Sequence, residues 1–124
     1  MIHGIGVDIL SKTRLEDLRD KYDDPFFVKT YTKSELEMGM GRHDPILYFA
    51  ERFAVKEAVF KALHINANEF KFSDIETLND DSGKPYVNLY GHTKKHCDEI
   101  GINHLHISIS NDSSIVAAFA VCEM

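Results

Sequence analysis

Glu57 is a carboxylate set among apolar neighbours. It lies in the stretch ERFAVKEAVFKAL, residues 51–63, where residues three and four apart share a helix face at about 100° per residue. Phe53, Glu57 and Lys61 then run up one side, with Phe49 and Phe60 on one flank and Ala50, Ala54 and Ala58 on the other. An ionised carboxylate drawn out of water needs an opposite charge, a hydrogen-bond network or a metal. Lys61, one turn on, offers an ordinary helix ion pair of about 0.3–0.5 kcal/mol at a surface. Asp8 offers a different chemistry. It closes an apolar strand whose same face carries Gly4 and Gly6, and a second carboxylate brought near Glu57 would repel it unless a cation lay between them. Two carboxylates with open remaining positions suit magnesium, which keeps waters and binds substrate phosphates.

Other polar groupings are weaker. His92, His96 and Cys97 have a helical metal-ligand spacing, with His104 and His106 nearby, but the acid of a His-Glu-x-x-His motif is missing. Surface histidines are the expected outcome. His104 and His106 share a strand face with Ser108 and Ser110, which reads as solvent-facing, and nothing marks either serine as a nucleophile. Gly83-Lys84-Pro85 reads as a turn. Cys97 and Cys122 have no paired spacing, so they are expected to be reduced thiols with a packing role.

The elements that must position these groups follow from periodicity. Residues 2–10 alternate as a strand ending near Asp8. Residues 11–22 predict a short amphipathic helix capped by Ser11, with Leu15 and Leu18 inward, and Pro25 then interrupts the chain. Thr32 and Glu35 form a capping-box signature for another helix. Pro45 suits the first turn of a long helix reaching Leu63, apolar around most of its circumference and so central to the fold. A strand over 70–78, a polar turn over 79–85 and a strand over 86–90 resemble a hairpin. A helix over 91–101 ends at Gly101, and strands over 104–110 and 115–123 complete the chain. This order predicts a single α+β domain, residues 1–124, with a mainly antiparallel sheet packed around the long central helix.

At 124 residues, 44% apolar and 27% charged, the chain is long enough for one real core. A net charge of −6 argues against a general nucleic-acid binder. No apolar run approaches a membrane span, and the N-terminus lacks a signal-peptide pattern, so a cytoplasmic location is expected.

With these residues assembled, the chain resembles the holo-acyl-carrier-protein synthases of the phosphopantetheinyl transferase family. The likeness rests on Gly4-Ile5-Gly6-Val7-Asp8-Ile9, Arg52-Phe53-Ala54-x-Lys56-Glu57-Ala58-x-x-Lys61-Ala62, Asp74-Ile75-Glu76 with Asn79-Asp80 and Gly83-Lys84-Pro85, and His106-Ile107-Ser108-Ile109-Ser110, in that order. It implies transfer of the 4′-phosphopantetheine arm of coenzyme A to a serine of an apo acyl carrier protein, releasing adenosine 3′,5′-bisphosphate. It implies magnesium held at Asp8 and Glu57, coenzyme A phosphates met by Arg52, Lys61 and His106, and Gly83-Lys84-Pro85 beside the adenosine. The proton acceptor is Glu57 or a magnesium-bound water. A homotrimer with active sites between subunits is also implied. Arg14, Leu18 and Lys21 are the expected carrier-facing stripe, with a local charge balance near neutral that predicts mild steering. Three positions depart from the family pattern: Asn111 replaces a His, Glu51 a Gly, and His64-Ile65-Asn66-Ala67-Asn68 a glycine-rich loop. These departures motivate a competing reading, a relative that binds coenzyme A or a carrier without transferring anything.

Overall fold

Strand β1 (Ile2–Ser11) forms one edge of a three-stranded antiparallel sheet in the computed structural model, which describes residues 1–124. The sheet runs β1, then β5 (Ile115–Glu123), then β4 (His104–Asn111). Alternation in β1 and β5 puts Gly6, Leu10, Val116, Ala118, Ala120 and Cys122 on a buried inner face, and β4 adds the half-buried Leu105, Ile107 and Ile109. The outer face carries Ile5, Val7, Ile9 and Phe119 in the open.

Helix α4 (Pro45–Leu63) lies across the inner face. Pro45 occupies its first turn, and the Asp44 carboxylate accepts the Leu47 backbone N–H at 3.3 Å. Small residues bring helix and strand backbones together. A Cβ added at Gly6 would stand 1.9 Å from the Ala58 carbonyl oxygen, and one at Gly4 2.1 Å from that of Ala62. No side chain fits between them. The opposite side of α4 meets helices α2 (Pro25–Thr30) and α3 (Lys33–Met40), around Phe27, Tyr31 and Phe49. The helix is therefore covered on several sides, as its apolar circumference predicts.

A separate antiparallel hairpin, β2 (Ile75–Asn79) and β3 (Pro85–Leu89), precedes helix α5 (Gly91–Ile100). Gly101 ends α5 with φ of 85°. The architecture is α+β, antiparallel throughout and built around the long helix, although its strands divide into two sheets. No helix is long and apolar enough to cross a membrane. Both cysteines are free and buried.

Three local expectations are corrected. The helix expected over 11–22 is a single turn, α1 (Thr13–Glu16), and Ser11 closes β1 instead of capping it. Long-range ion pairs override the local pattern here: Asp44 accepts Lys12 at 2.9 Å and Arg19 at 3.1 Å, which draws residues beyond 16 into turns. Pro25 does not simply interrupt the chain. It opens α2, whose cap is Asp24, with the Phe26 N–H donated to its carboxylate at 2.9 Å. The strand expected from 70 starts only at Ile75, because Phe70 and Phe72 point into aromatic contacts with Phe60 at 4.4 Å and Phe53 at 5.2 Å.

Candidate active site

Asp8 and Glu57, far apart in sequence, face each other across the β1–α4 seam. The Asp8 side chain lies on the inner face beyond Gly4 and Gly6, where the close backbone approach brings α4 over the strand. Glu57 is half-buried, and its carboxyl is pushed up from the ordinary glutamate range, first by burial and second by the negative charge of Asp8. Lys61 and Arg14 act in the opposite direction on Glu57.

The helix ion pair considered for Glu57 does not form. Lys61 instead donates to the Val7 carbonyl at 3.0 Å and to the Asp8 carboxylate at 3.4 Å. The side chain of Lys61 leans toward the strand because Asp8 offers both a carboxylate and an adjacent carbonyl. Glu57 is thus left without a direct cationic partner, beside a second carboxylate. That is an electrostatic demand for a cation. Two hard oxygen donors with open neighbouring positions suit a small divalent ion of the magnesium type.

Arg52 belongs to a different place. It is buried on the far flank of α4, five residues before Glu57 and hence about 140° around the helix. Its guanidinium stacks 4.3 Å from the centre of the Tyr48 ring and donates to the Asn79 side-chain oxygen. Asn79 in turn donates to the Gly83 carbonyl at 2.9 Å. Gly83 takes a φ of 88°, and Asp80 organises the turn by accepting the Ser82 and Lys84 backbone N–H groups, each at 2.9 Å. A cavity of about 550 Å³ opens here, lined in part by Arg42, His43, Tyr48, Arg52, Gly83 and Pro85. Two buried polar atoms beside it, Arg52 Nε and Tyr48 Oη, have no hydrogen-bond partner in the protein. A ligand with several acceptors would satisfy them.

The structure therefore gathers the site residues expected from sequence into two groups. Asp8, Glu57, Lys61 and Arg14 form one, and Arg52, Gly83 and Pro85 the other. The Lys84 side chain is exposed and does not line the cavity. His106 is in neither group. It stands on the outer sheet face, its Nε2 3.0 Å from a Glu123 carboxylate oxygen. Leu18 is half-buried against the core, and Lys21 lies in the turns beyond α1, so Arg14, Leu18 and Lys21 do not share one helix face. Lys12 and Arg19 are occupied by Glu16 and Asp44, leaving Arg14 and Lys21 as the unpaired basic residues of this segment.

Sequence reasoning missed Arg42, His43, Tyr48 and Asn79 as part of the cavity. Arg42 and His43, an arginine and an imidazole just ahead of the Asp44–Pro45 helix start, were the available signal, since a helix N-terminus favours anions. The departures also find partners. Asn111 donates to Glu51 at 2.9 Å, so two of the three unusual positions contact each other beside this cavity. His64 takes the left-handed conformation at φ of 56°, where a glycine would be unstrained, and its ring meets His3 edge-on at 5.7 Å.

A second cleft of about 440 Å³ runs between β3, α5 and β4. Four of its polar side chains are already engaged: Lys94 pairs with Asp98 at 2.7 Å, and Asn88 and Tyr90 donate to Glu76.

The family model of the 4′-phosphopantetheinyl transferase superfamily matches residues 4–120. A holo-[acyl-carrier-protein] synthase of Halothermothrix orenii is 37% identical over 123 residues, covering 99% of this chain and 98% of its own. The crystal structure of a holo-[acyl-carrier-protein] synthase from Neisseria meningitidis superposes with a TM-score of 0.89 at 35% identity, covering 100% of both chains. That of a holo-(acyl-carrier-protein) synthase from Bacillus anthracis, in complex with CoA (3′,5′-ADP), gives 0.80 at 33% identity, covering 98% of this chain and 96% of its own.

Proposed function

The chain belongs to the 4′-phosphopantetheinyl transferase superfamily, and from that premise we propose that it is a holo-[acyl-carrier-protein] synthase. It transfers the 4′-phosphopantetheine arm of coenzyme A to a serine of an apo acyl carrier protein, as one unit spanning residues 1–124. The observation that carries the reading is the meeting of Asp8 with Glu57, which places two carboxylates where charge neutralisation is required. In the reaction the serine oxygen bonds to the phosphorus next to pantetheine, the bond to adenosine 3′,5′-bisphosphate breaks, and the serine proton leaves.

Catalysis of this kind is mostly positioning and charge stabilisation. Asp8 and Glu57 are assigned as the magnesium ligands, and their fit is supported by their hard oxygens and mutual crowding. When bound, the ion neutralises pyrophosphate oxygens. Lys61, half exposed and resting on Asp8, is free to turn to a phosphate oxygen. Glu57 is suited to accept the serine proton. Arg52, together with Arg42, supplies positive charge to the cavity beside Gly83 and Pro85, with His43 as a further polar wall, and we assign the adenosine and its phosphates to this cavity. Lys84 reaches that ligand only from outside. Arg14, next to Glu57, and Lys21 meet the acidic carrier, while Leu18, half-buried against the core, supports the segment between them. His106, on the outer sheet face, serves a neighbouring subunit's ligand.

The active form is proposed to be a cytoplasmic homotrimer. Two features support assembly. Ile5, Ile9 and Phe119 are 71%, 70% and 57% exposed on one continuous sheet face, an apolar area that a lone subunit would leave in water. The carboxylate pair and the Arg52 cavity lie on opposite flanks of α4, so a head-to-tail ring joins one subunit's pair to the next one's cavity.

The test is intact-mass analysis of apo carriers incubated with the protein, coenzyme A and magnesium. Wild-type protein adds a phosphopantetheine mass, and Asp8→Ala or Glu57→Ala stops it while circular dichroism stays native. Loading at the wild-type rate by either variant would remove the assigned metal site.

A further inference from the structure

Lys56, the residue before Glu57, is fully buried together with Glu35. No step described above uses either. The Lys56 ammonium donates to Glu35 at 2.7 Å, to the Phe72 carbonyl at 3.0 Å and to the Ile75 carbonyl. Glu35 does more than close the capping box of α3, in which its Oε1 accepts the Thr32 backbone N–H at 3.0 Å: its Oε2 accepts the Thr77 N–H at 3.0 Å. One ion pair therefore ties three segments together: the start of α3, the middle of α4, and the approach to β2.

We propose that the Lys56–Glu35 pair is a positioning device that sets both halves of the site. This rests on the transferase reading above. Removing charges from water is costly, and an apolar pair of the same volume commonly serves stability as well or better. A gain in geometry is the remaining reason to bury two charges here. Lys56 projects from the back of α4, away from Ala58 and Ala62, which touch the strand glycines at the front. Held at both surfaces, the helix has no freedom to roll, and Glu57 stays turned toward Asp8. The same ammonium grips the backbone just before and at the start of β2, while Arg52 grips Asn79 at its end. The hairpin carrying Gly83 and Pro85 is thereby indexed to the helix carrying Glu57.

The test is a double variant, Lys56→Met with Glu35→Gln, because Lys56→Met alone strands a buried carboxylate and serves only as the misfolding control. The double variant is expected to melt cooperatively yet show a kcat for carrier loading lowered about 100-fold, the scale of an ångström-level misplacement of reacting groups. A pair that only stabilises the fold would leave kcat per folded molecule unchanged, and that outcome overturns the proposal. A second readout does not depend on activity. Asp8→Cys with Glu57→Cys is treated with a short thiol cross-linker, with and without the Lys56–Glu35 replacement. The cross-link forms readily in the parent and is lost or slowed in the replacement; equal rates overturn the proposal even if wild-type protein loads no carrier. Failure of wild-type loading by itself counts against the transferase reading only.

Discussion

At the scale of single residues, Lys61 and the two cysteines give the clearest expectations. Lys61 leans on Asp8 and not on Glu57, so Lys61→Met leaves Asp8 without its cation. Its effect should fall on kcat/KM for coenzyme A, measured by steady-state loading, while the melting temperature stays nearly constant, since an exposed pair of this kind is worth about 0–1 kcal/mol. Burial pushes the Cys97 thiol up to about 11 and the Cys122 thiol up to about 12. A thiol whose native value is raised stabilises the fold fully below its unfolded value of 9.0 and loses that contribution as pH climbs through the native values. Both thiols should therefore ignore a thiol reagent at neutral pH in native protein and react once it is unfolded. Thermal stability should decline on the alkaline side between those limits, and a flat profile there would contradict the assignment. The partner of Lys61 was not legible in the sequence, because helix spacing reports only neighbours on the same helix. Asp8 and the adjacent Val7 carbonyl became competitors through tertiary contact alone.

At the scale of elements, the seam between β1 and α4 is the most demanding contact. Gly6→Ala forces a methyl group to within 1.9 Å of the Ala58 carbonyl oxygen, so strand and helix must separate. We expect loss of magnesium-dependent loading together with a melting temperature lowered by several degrees, the response to about 1–3 kcal/mol of overpacking. His64→Gly should act the other way. It relieves a left-handed residue at the end of α4 and gains about 1 kcal/mol by denaturant unfolding, less whatever the His3 contact contributes. Most elements could be read from the chain: β1, α4, β3, α5 and the closing strands all follow their periodicity. The failures share a cause. Residues 17–22 and 70–74 carry plausible local patterns, but Asp44 captures Lys12 and Arg19 in the first case, and Phe60 and Phe53 capture Phe70 and Phe72 in the second. Glu35 was visible only as a cap; its partnership with Lys56 required the fold.

For the whole molecule, the exposed face of Ile5, Ile9 and Phe119 and the two-sided arrangement around α4 lead to a joint expectation. Phe119→Asp should yield a folded monomer in sedimentation analysis that no longer loads a carrier. A trimer that survives this change would contradict the assigned interface. Mixing Glu57→Ala with Arg52→Ala subunits should recover part of the activity that each lacks alone, because an assembled ring then contains some junctions with both halves intact. Each carboxylate was legible as an acid in apolar surroundings, whereas their meeting and their separation from Arg52 were not, since sequence gives positions along α4 but not what borders each flank. Dividing a pocket between the two flanks of one rod has a kinetic corollary. Turnover per polypeptide is no constant of the chain but a function of how often copies find one another, so a stock diluted past its association threshold should fall silent and revive when concentrated.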